Sequence, residues 1–203
     1  MNDQFWWYVA RSTGVVCWAL AAAAVLWGLA VTSKPFDKKP APAWTLDLHR
    51  HLGGLSVLFL VAHVGALLAD SFTEWSLVDV VVPWAAGWNP GPVAWGIVAA
   101  WLLVAVEVSS LLQRHLPRPW WRRLHLTSYA VFVLATVHFL AAGTDRTNPF
   151  LLAAVVAAVA MVLALTVWWI IRSKRKPSRT PPTATASARK NGQRAALAPG
   201  TMR

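Results

Sequence analysis

The sequence predicts an all-α integral membrane protein, a bundle of about five transmembrane helices. Hydrophobic residues make up 57% of the 203 residues and charged residues only 13%, too few to cover a soluble domain of this size. Runs of about 20 apolar residues, the length that crosses a bilayer as a helix, recur between Tyr8 and Arg172. Tryptophans cluster near the ends of these runs, as is typical of membrane–water interfaces.

The apolar runs give the helix boundaries. We expect helices at Val9 to Val31, Leu48 to Ala69, Pro92 to Leu112, Trp120 to Ala142 and Phe150 to Ile171. The segments between them are rich in proline, glycine and polar residues, which break helices. Because the helices use most of the chain, we expect no soluble nucleotide-binding or flavin-binding domain.

The distribution of lysine and arginine predicts the orientation. Of the nineteen basic residues, only Arg11 and Arg146 lie on the side that holds the N-terminus. By the positive-inside rule, that side is external. We therefore expect an external N-terminus at 1–8, a transmembrane domain at 9–171 and a disordered basic cytoplasmic tail at 172–203. In the external loop after the second helix, the apolar stretch Leu77 to Pro83 predicts a short segment on the outer surface.

Charge and cysteine content exclude several classes of function. Nine of the nineteen basic residues follow position 171, in a tail without acidic residues, so the net charge of +11 indicates anionic membrane lipid rather than nucleic acid as a partner. Cys17 is the single cysteine and lies in an apolar run. Disulfides within the chain and iron–sulfur clusters ligated by cysteine are therefore excluded.

Of the five histidines on the second and fourth predicted helices, four form two pairs at similar depths. His49 and His63 are 14 residues apart on one helix, and His125 and His138 are 13 apart on the other. In the predicted orientation both helices run outward, so these residues form an inner and an outer pair about 20 Å apart. Two facing imidazoles without a nearby cysteine or carboxylate suit the two axial positions of a heme iron. We therefore predict bis-His heme sites between helices 2 and 4, an arrangement that favours electron transfer.

Two features of the histidine pairs stay open. His51, only two residues from His49, is an alternative inner ligand. A spacing of 13 residues also leaves His125 and His138 about 100° apart around a regular helix, unless a π-bulge or different rotamers compensate.

Two other features near the histidines have alternative interpretations. Gly53, Gly54 and Gly65, together with the small residues of the first and fifth helices, give room for a porphyrin, or they permit close packing between helices. Glu107, one turn from the cytoplasmic end of the third helix, is either an exposed interfacial carboxylate or the partner of an inner arginine.

Several segments resemble a known family. They are ARSTGVV, LHRHLGGLSVLFLVAH, WWRRLHLTSYAVFVLATVHF and AAGTD. The chain from about Arg11 to Arg172 is similar to the ferric reductase-like transmembrane domain. That family includes the heme cores of ferric reductases and NADPH oxidases and the heme subunit of the bacterial methionine-sulfoxide reductase system.

The resemblance implies b-type hemes held between two helices and electrons passed across the membrane. Two hemes are expected, with one as the alternative: His49 and His125 would hold the inner heme, and His63 and His138 the outer one. Arg11 matches a family arginine and would pair with a heme propionate, although anchoring at the interface explains it as well.

The resemblance also leaves the redox partners to be identified. Lacking a flavin or nicotinamide domain, the chain is expected to act as an electron-transfer subunit that receives electrons from a separate cytoplasmic flavoprotein, a flavin or quinol. Ferric ion, a protein sulfoxide reductase and oxygen are all compatible external acceptors. The alternative functions are a transporter that uses the histidines for a transition metal or protons, and a non-redox membrane scaffold.

Overall fold

The computed structural model of the protein describes residues 4–33, 42–71 and 75–174. The chain divides into two units, Met1–Trp169 and Ile170–Arg203. In the described residues all regular elements are helices: α1 (Phe5–Ser33), α2 (Ala43–Ala69), α3 (Leu77–Val81), α4 (Pro90–Leu111), α5 (Arg118–Leu126), α6 (Ser128–Ala142) and α7 (Pro149–Lys174). Of the predicted tail, only the first three residues are described, and they continue α7; the disorder expected of the rest falls on residues 175–203, outside the described residues.

The five predicted membrane spans are confirmed. Within the described residues five helices are long and apolar enough to cross a bilayer: Phe5–Thr32, Ala43–Ala69, Pro90–Leu111, Arg118–Ala142 and Pro149–Lys174. The second begins five residues before the predicted Leu48. There the Pro42 carbonyl accepts hydrogen bonds from the backbone N–H of Thr45 at 3.1 Å and from its hydroxyl at 2.6 Å. These bonds stabilise a polar first turn that hydropathy alone does not predict.

The fourth span is confirmed, but it is not one regular helix. It is interrupted at Thr127, which separates α5 from α6. The backbone N–H of Thr127 bonds to the carbonyl of Leu124, three residues back, at 3.0 Å, and its hydroxyl donates to the same carbonyl at 2.6 Å. The interruption lies between His125 and His138, so the regular helix that made their 13-residue spacing difficult is absent.

Two antiparallel helix pairs form most of the Met1–Trp169 unit. The most extensive contacts join α1 to α2 and α4 to α6, and smaller ones join α1 to α6 and α2 to α4. The Trp18 ring stacks on Phe139 at 5.5 Å between centroids and donates to the Thr136 hydroxyl at 3.0 Å. Val155 of α7 packs against Trp18 and Phe139. This cluster fixes α1 against α6 and thereby brings the two helix pairs together.

A short helix forms where the sequence predicted a separate segment between the second and third spans. In α3 the Ser76 side chain accepts a hydrogen bond from the Asp79 backbone, and the Asp79 carboxylate accepts one from the Ser76 backbone. This reciprocal capping satisfies donors at the start of the helix. Leu77 and Val78 are 67% and 58% exposed, so these two side chains lie outside the core, while the Val81 carbonyl accepts a hydrogen bond from the Trp101 indole of α4 at 3.1 Å.

Candidate functional site

The structure brings together both predicted histidine pairs. The ring centroids of His49 in α2 and His125 in α5 are 5.8 Å apart, with an angle of 72° between the rings. His63 in α2 and His138 in α6 line a common cavity. The exposed His51 ring instead bonds through Nδ1 to the carbonyl of Asp47 in its own helix, at 2.7 Å. Of the two alternatives for the inner pair, His49 is therefore the one that faces His125.

The cavity at His63 and His138 lies among α1, α2, α4 and α6 and has a volume of about 340 Å³. That is within the range of about 300–1,000 Å³ found for organic ligand sites. Its wall is largely apolar, while Arg11, Asp70 and Asp145 supply charged groups. An apolar body with charged groups at one end suits a flat, amphipathic ligand.

Three of the four histidines bond to the backbone of the neighbouring helix in the same way. His63 Nδ1 lies 2.7 Å from the Ala10 carbonyl, His49 Nδ1 lies 3.1 Å from that of Ala24, and His138 Nδ1 lies 2.8 Å from that of Pro92. Because a carbonyl only accepts, each Nδ1 carries the ring's proton and donates it. Nε2 of each neutral ring then keeps a lone pair that can bind a metal.

A glycine lies four residues after each of these carbonyls. A β-carbon at Gly14 would lie 2.9 Å from His63 Nδ1, one at Gly28 would lie 3.1 Å from His49 Cε1, and one at Gly96 would lie 2.7 Å from His138 Nδ1. A helical side chain covers the turn that precedes it, so glycine leaves the carbonyl four residues earlier open to a second donor. We call each such carbonyl with its glycine a glycine notch: Ala10/Gly14, Ala24/Gly28 and Pro92/Gly96.

The fourth histidine has a serine where a notch would have glycine. Ser110 follows Gly96 by 14 residues on α4. Its hydroxyl donates to the Val106 carbonyl at 2.8 Å, and its oxygen lies 3.4 Å from His125 Nδ1. The His125 ring also stacks on Trp121, with centroids 5.1 Å apart.

Gly53, Gly54 and Gly65, which the sequence suggested as space for a porphyrin, are not the glycines that contact histidine. Two of the glycines that do, Gly14 and Gly28, lie on the first helix, whose small residues the sequence also suggested. A β-carbon at Gly54 or Gly65 would meet nothing within 4 Å, and both residues are exposed. A β-carbon at Gly53 would overlap the carboxylate of Glu107. Glu107 is thus neither a freely exposed carboxylate nor an arginine partner among the described residues, but packs against the backbone of α2.

Arg11 forms an ion pair that the sequence did not predict. Its Nε donates to Asp145 Oδ2 at 3.0 Å, and its Nη2 donates to Oδ1 of the same carboxylate. The guanidinium also lies 4.2 Å from the Trp7 ring centroid. Arg11 and Asp145 both line the cavity, so this pair joins α1 to the loop after α6 beside the outer histidines.

One sequence signal pointed to the notches. Gly14 and Gly28 are 14 residues apart on the first helix, the same spacing as His49 and His63 on the second. In antiparallel helices of the same rise, equal spacings bring both glycines opposite both histidines. The Arg11–Asp145 pair, which joins residues 134 positions apart, left no comparable signal.

Among known families, the one described as ferric reductase like transmembrane component matches residues 13–136. This range contains His49, His63 and His125 and ends two residues before His138. No curated protein and no solved structure matches the chain. The chain therefore belongs to the ferric reductase-like transmembrane components, multi-pass membrane proteins that transfer electrons across the membrane and generally bind heme.

Proposed function

We propose that this protein carries electrons across the membrane through two b-type hemes, an inner one ligated by His49 and His125 and an outer one by His63 and His138. The observation that carries the proposal is the hydrogen bonding of the imidazoles. In three of them Nδ1 donates to a backbone carbonyl of a neighbouring helix. This bond fixes each ring and presents Nε2 as the ligand atom. Bound heme iron supplies reversible one-electron transfer, and two histidine ligands leave it no open position for oxygen chemistry.

The residues around the histidines fit heme. The outer pair lines an apolar cavity, and the notches let the imidazoles lie close to the helix backbone. At the inner pair, the Trp121 indole N–H is buried and has no hydrogen-bond partner among the described residues, so it is available to an oxygen atom of a bound group. No group of three or more histidine, cysteine, aspartate and glutamate side chains that could hold a bare metal ion is found in the described residues. Histidines that occur in pairs, without a third such side chain nearby in the described residues, favour heme over the metal-transport alternative.

In this proposal Arg11 holds a propionate of the outer heme. A guanidinium has five N–H donors, and Asp145 uses two of them, on Nε and Nη2. The remaining donors are free to bind a second carboxylate. Asp145 and Trp7 meanwhile keep the guanidinium at the cavity, next to the outer histidines.

The direction of transfer rests on the charge distribution. Seventeen of the nineteen basic residues lie on the side of His49 and His125, which we assign to the cytoplasm, with the N-terminus outside. His49 and His63 are 14 residues apart, about 21 Å along a helix, so two hemes would divide the bilayer into short electron-transfer steps. A separate cytoplasmic flavoprotein or quinol supplies electrons to the inner heme, and an external acceptor takes them from the outer one.

Heme content and spectra test the proposal. Purified protein, expressed with ample heme, is expected to give a b-type reduced spectrum and two hemes per chain in a pyridine hemochrome assay. His63→Ala and His138→Ala should each lose one heme, while His51→Ala, a change at the exposed neighbour of the inner ligand, should retain both. Unchanged heme content in both His63→Ala and His138→Ala, or no heme in the wild-type protein, would refute the assignment.

A further inference from the structure

The inner and outer histidines on the α5–α6 span have different hydrogen-bond acceptors on α4. His138 donates to the carbonyl of a glycine notch, Pro92/Gly96, at 2.8 Å. Fourteen residues further along α4, Ser110 takes the position of the glycine, opposite His125. The side chain of Ser110 lies over the Val106 carbonyl, which would otherwise be the acceptor in the notch.

The protons of this contact can be assigned. The Ser110 hydroxyl donates its one hydrogen to the Val106 carbonyl at 2.8 Å, so towards His125 its oxygen has only lone pairs to offer. His125 Nδ1 is therefore the donor, as in the other three histidines. Its distance to the acceptor is 3.4 Å, against 2.7–3.1 Å for the carbonyl acceptors. The bond to His125 is thus the weakest of the four.

We infer that Ser110 is a positioning residue of the inner heme site, which sets the basicity of His125 as a ligand and raises the midpoint potential of that heme. A strong acceptor at Nδ1–H gives an imidazole more negative character, so that it stabilises the oxidised iron, and a weak acceptor does so less. The serine thus makes the two sites unequal although their histidines are alike. This inference rests on the proposed heme function.

Two substitutions at position 110 should move the inner potential in opposite directions. Ser109→Ala/Ser110→Gly removes both hydroxyls that donate to the Val106 carbonyl and so completes a notch there. His125 then gains a carbonyl acceptor, and the inner midpoint potential should fall. Ser110→Ala removes the acceptor while its β-carbon still covers the carbonyl. The potential should then rise, and the inner heme should be retained about tenfold less tightly or be lost.

Ser109 offers a matched control. It is buried, is adjacent in sequence and also donates to the Val106 carbonyl, at 2.9 Å, but no hydrogen bond joins it to a histidine. Ser109→Ala is also the matched background of the double variant, and Ser109→Gly introduces a glycine at the neighbouring position of the same helix. Ser109→Ala and Ser109→Gly should leave both potentials unchanged.

Redox titrations followed by absorbance measure these potentials, and the heme that survives in His138→Ala identifies the inner one. Opposite shifts in Ser109→Ala/Ser110→Gly and Ser110→Ala, or selective loss of the inner heme from Ser110→Ala, support the inference. Shifts of the same sign, shifts confined to the outer heme, or no shift overturn it. A wild-type protein without heme overturns the proposed function and this inference together, whereas two hemes with an unmoved inner potential overturn this inference alone.

Discussion

Gly14 of α1 and His63 of α2 meet so closely that a β-carbon at position 14 would lie 2.9 Å from His63 Nδ1. Moving 14 residues forward on α1 and 14 back on α2 leads to the equivalent contact, between Gly28 and His49. Helix α1 therefore orients both His49 and His63 of α2 through the same kind of contact, a glycine against the imidazole ring. The glycines are as much a part of the candidate site as the imidazoles.

Gly96→Ala should displace His138 and weaken the outer heme site. A β-carbon there would lie within 2.8 Å of three atoms of the imidazole ring, closer than a real contact allows, so the ring must leave the Pro92 carbonyl. Loss of such a supporting hydrogen bond weakens metal binding by about 10- to 100-fold. The hemochrome assay should give about one heme per chain. Gly65→Ala, where a β-carbon meets nothing within 4 Å, should give two, and equal heme content in both variants would contradict the role of the notch.

Asp145→Asn should raise the midpoint potential of the outer heme. The carboxylate neutralises Arg11 beside the outer histidines, and without it the guanidinium charge stabilises the reduced iron. The apoprotein should also lose roughly 1–2 kcal/mol of stability, because the bidentate bond joins α1 to the loop after α6. Redox titration and thermal unfolding in detergent measure the two effects.

Asp47→Asn is the control for Asp145→Asn, because it removes the same charge at the exposed start of α2 and should not move the outer potential. A shift as large as that of Asp145→Asn would refute the local mechanism.

The sequence predicted the spans and the histidine pairs because both follow from properties along single helices. A run of about 20 apolar residues is enough to predict a helix, and a spacing of 14 keeps His49 and His63 on one face. The choice between His49 and His51 stayed open because it depends on the rotation of α2 against α5. The structure resolves that rotation by placing the His49 ring 5.8 Å from His125.

The remaining features depend on the register between helices, which hydropathy does not encode. Gly53 and Gly54 are adjacent, four and five residues after His49, yet a β-carbon at Gly53 would overlap Glu107 and one at Gly54 would meet nothing within 4 Å. The interruption at Thr127 arises from a single backbone bond to Leu124 within an otherwise apolar run. The contact at Gly53 and the interruption at Thr127 leave the composition of their segments unchanged, so neither could be predicted from composition.

Ser76→Ala should shift the titration of Asp79 in α3. The Ser76 hydroxyl and backbone N–H both donate to Asp79 Oδ2, at 2.6 and 2.9 Å, and hold the pKa of Asp79 below its ordinary value of 3.8. The hydrogen bonds of the cap therefore stabilise the folded protein at a pH above the pKa that Asp79 has in the unfolded chain. This stabilisation is lost as the pH falls through the lower pKa that Asp79 has in the folded protein. Removing the hydroxyl should raise the pKa of Asp79 towards 3.8, measured by NMR of labelled aspartate carboxyl carbons. Ser12→Ala, at a hydroxyl that bonds only to α1 carbonyls, is the control, and an identical Asp79 midpoint in wild type and Ser76→Ala would disprove the cap.

Gly53→Ala and Gly54→Ala should differ in stability although they are the same substitution at neighbouring positions. At Gly53 the new β-carbon would overlap the Glu107 carboxylate, so α2 and α4 must separate or Glu107 must rotate away, at a cost of about 1–3 kcal/mol. At Gly54 nothing lies within 4 Å, and alanine should be neutral or stabilise the helix by up to about 1 kcal/mol. Unfolding by SDS in mixed micelles, followed by circular dichroism, measures the stability of both variants.

The double variant Gly53→Ala/Glu107→Ala removes the overlapping carboxylate. It should recover part of the stability lost in Gly53→Ala, since residues in contact are energetically coupled. If the double variant is no more stable than Gly53→Ala alone, the contact with Glu107 is not the reason for glycine at position 53.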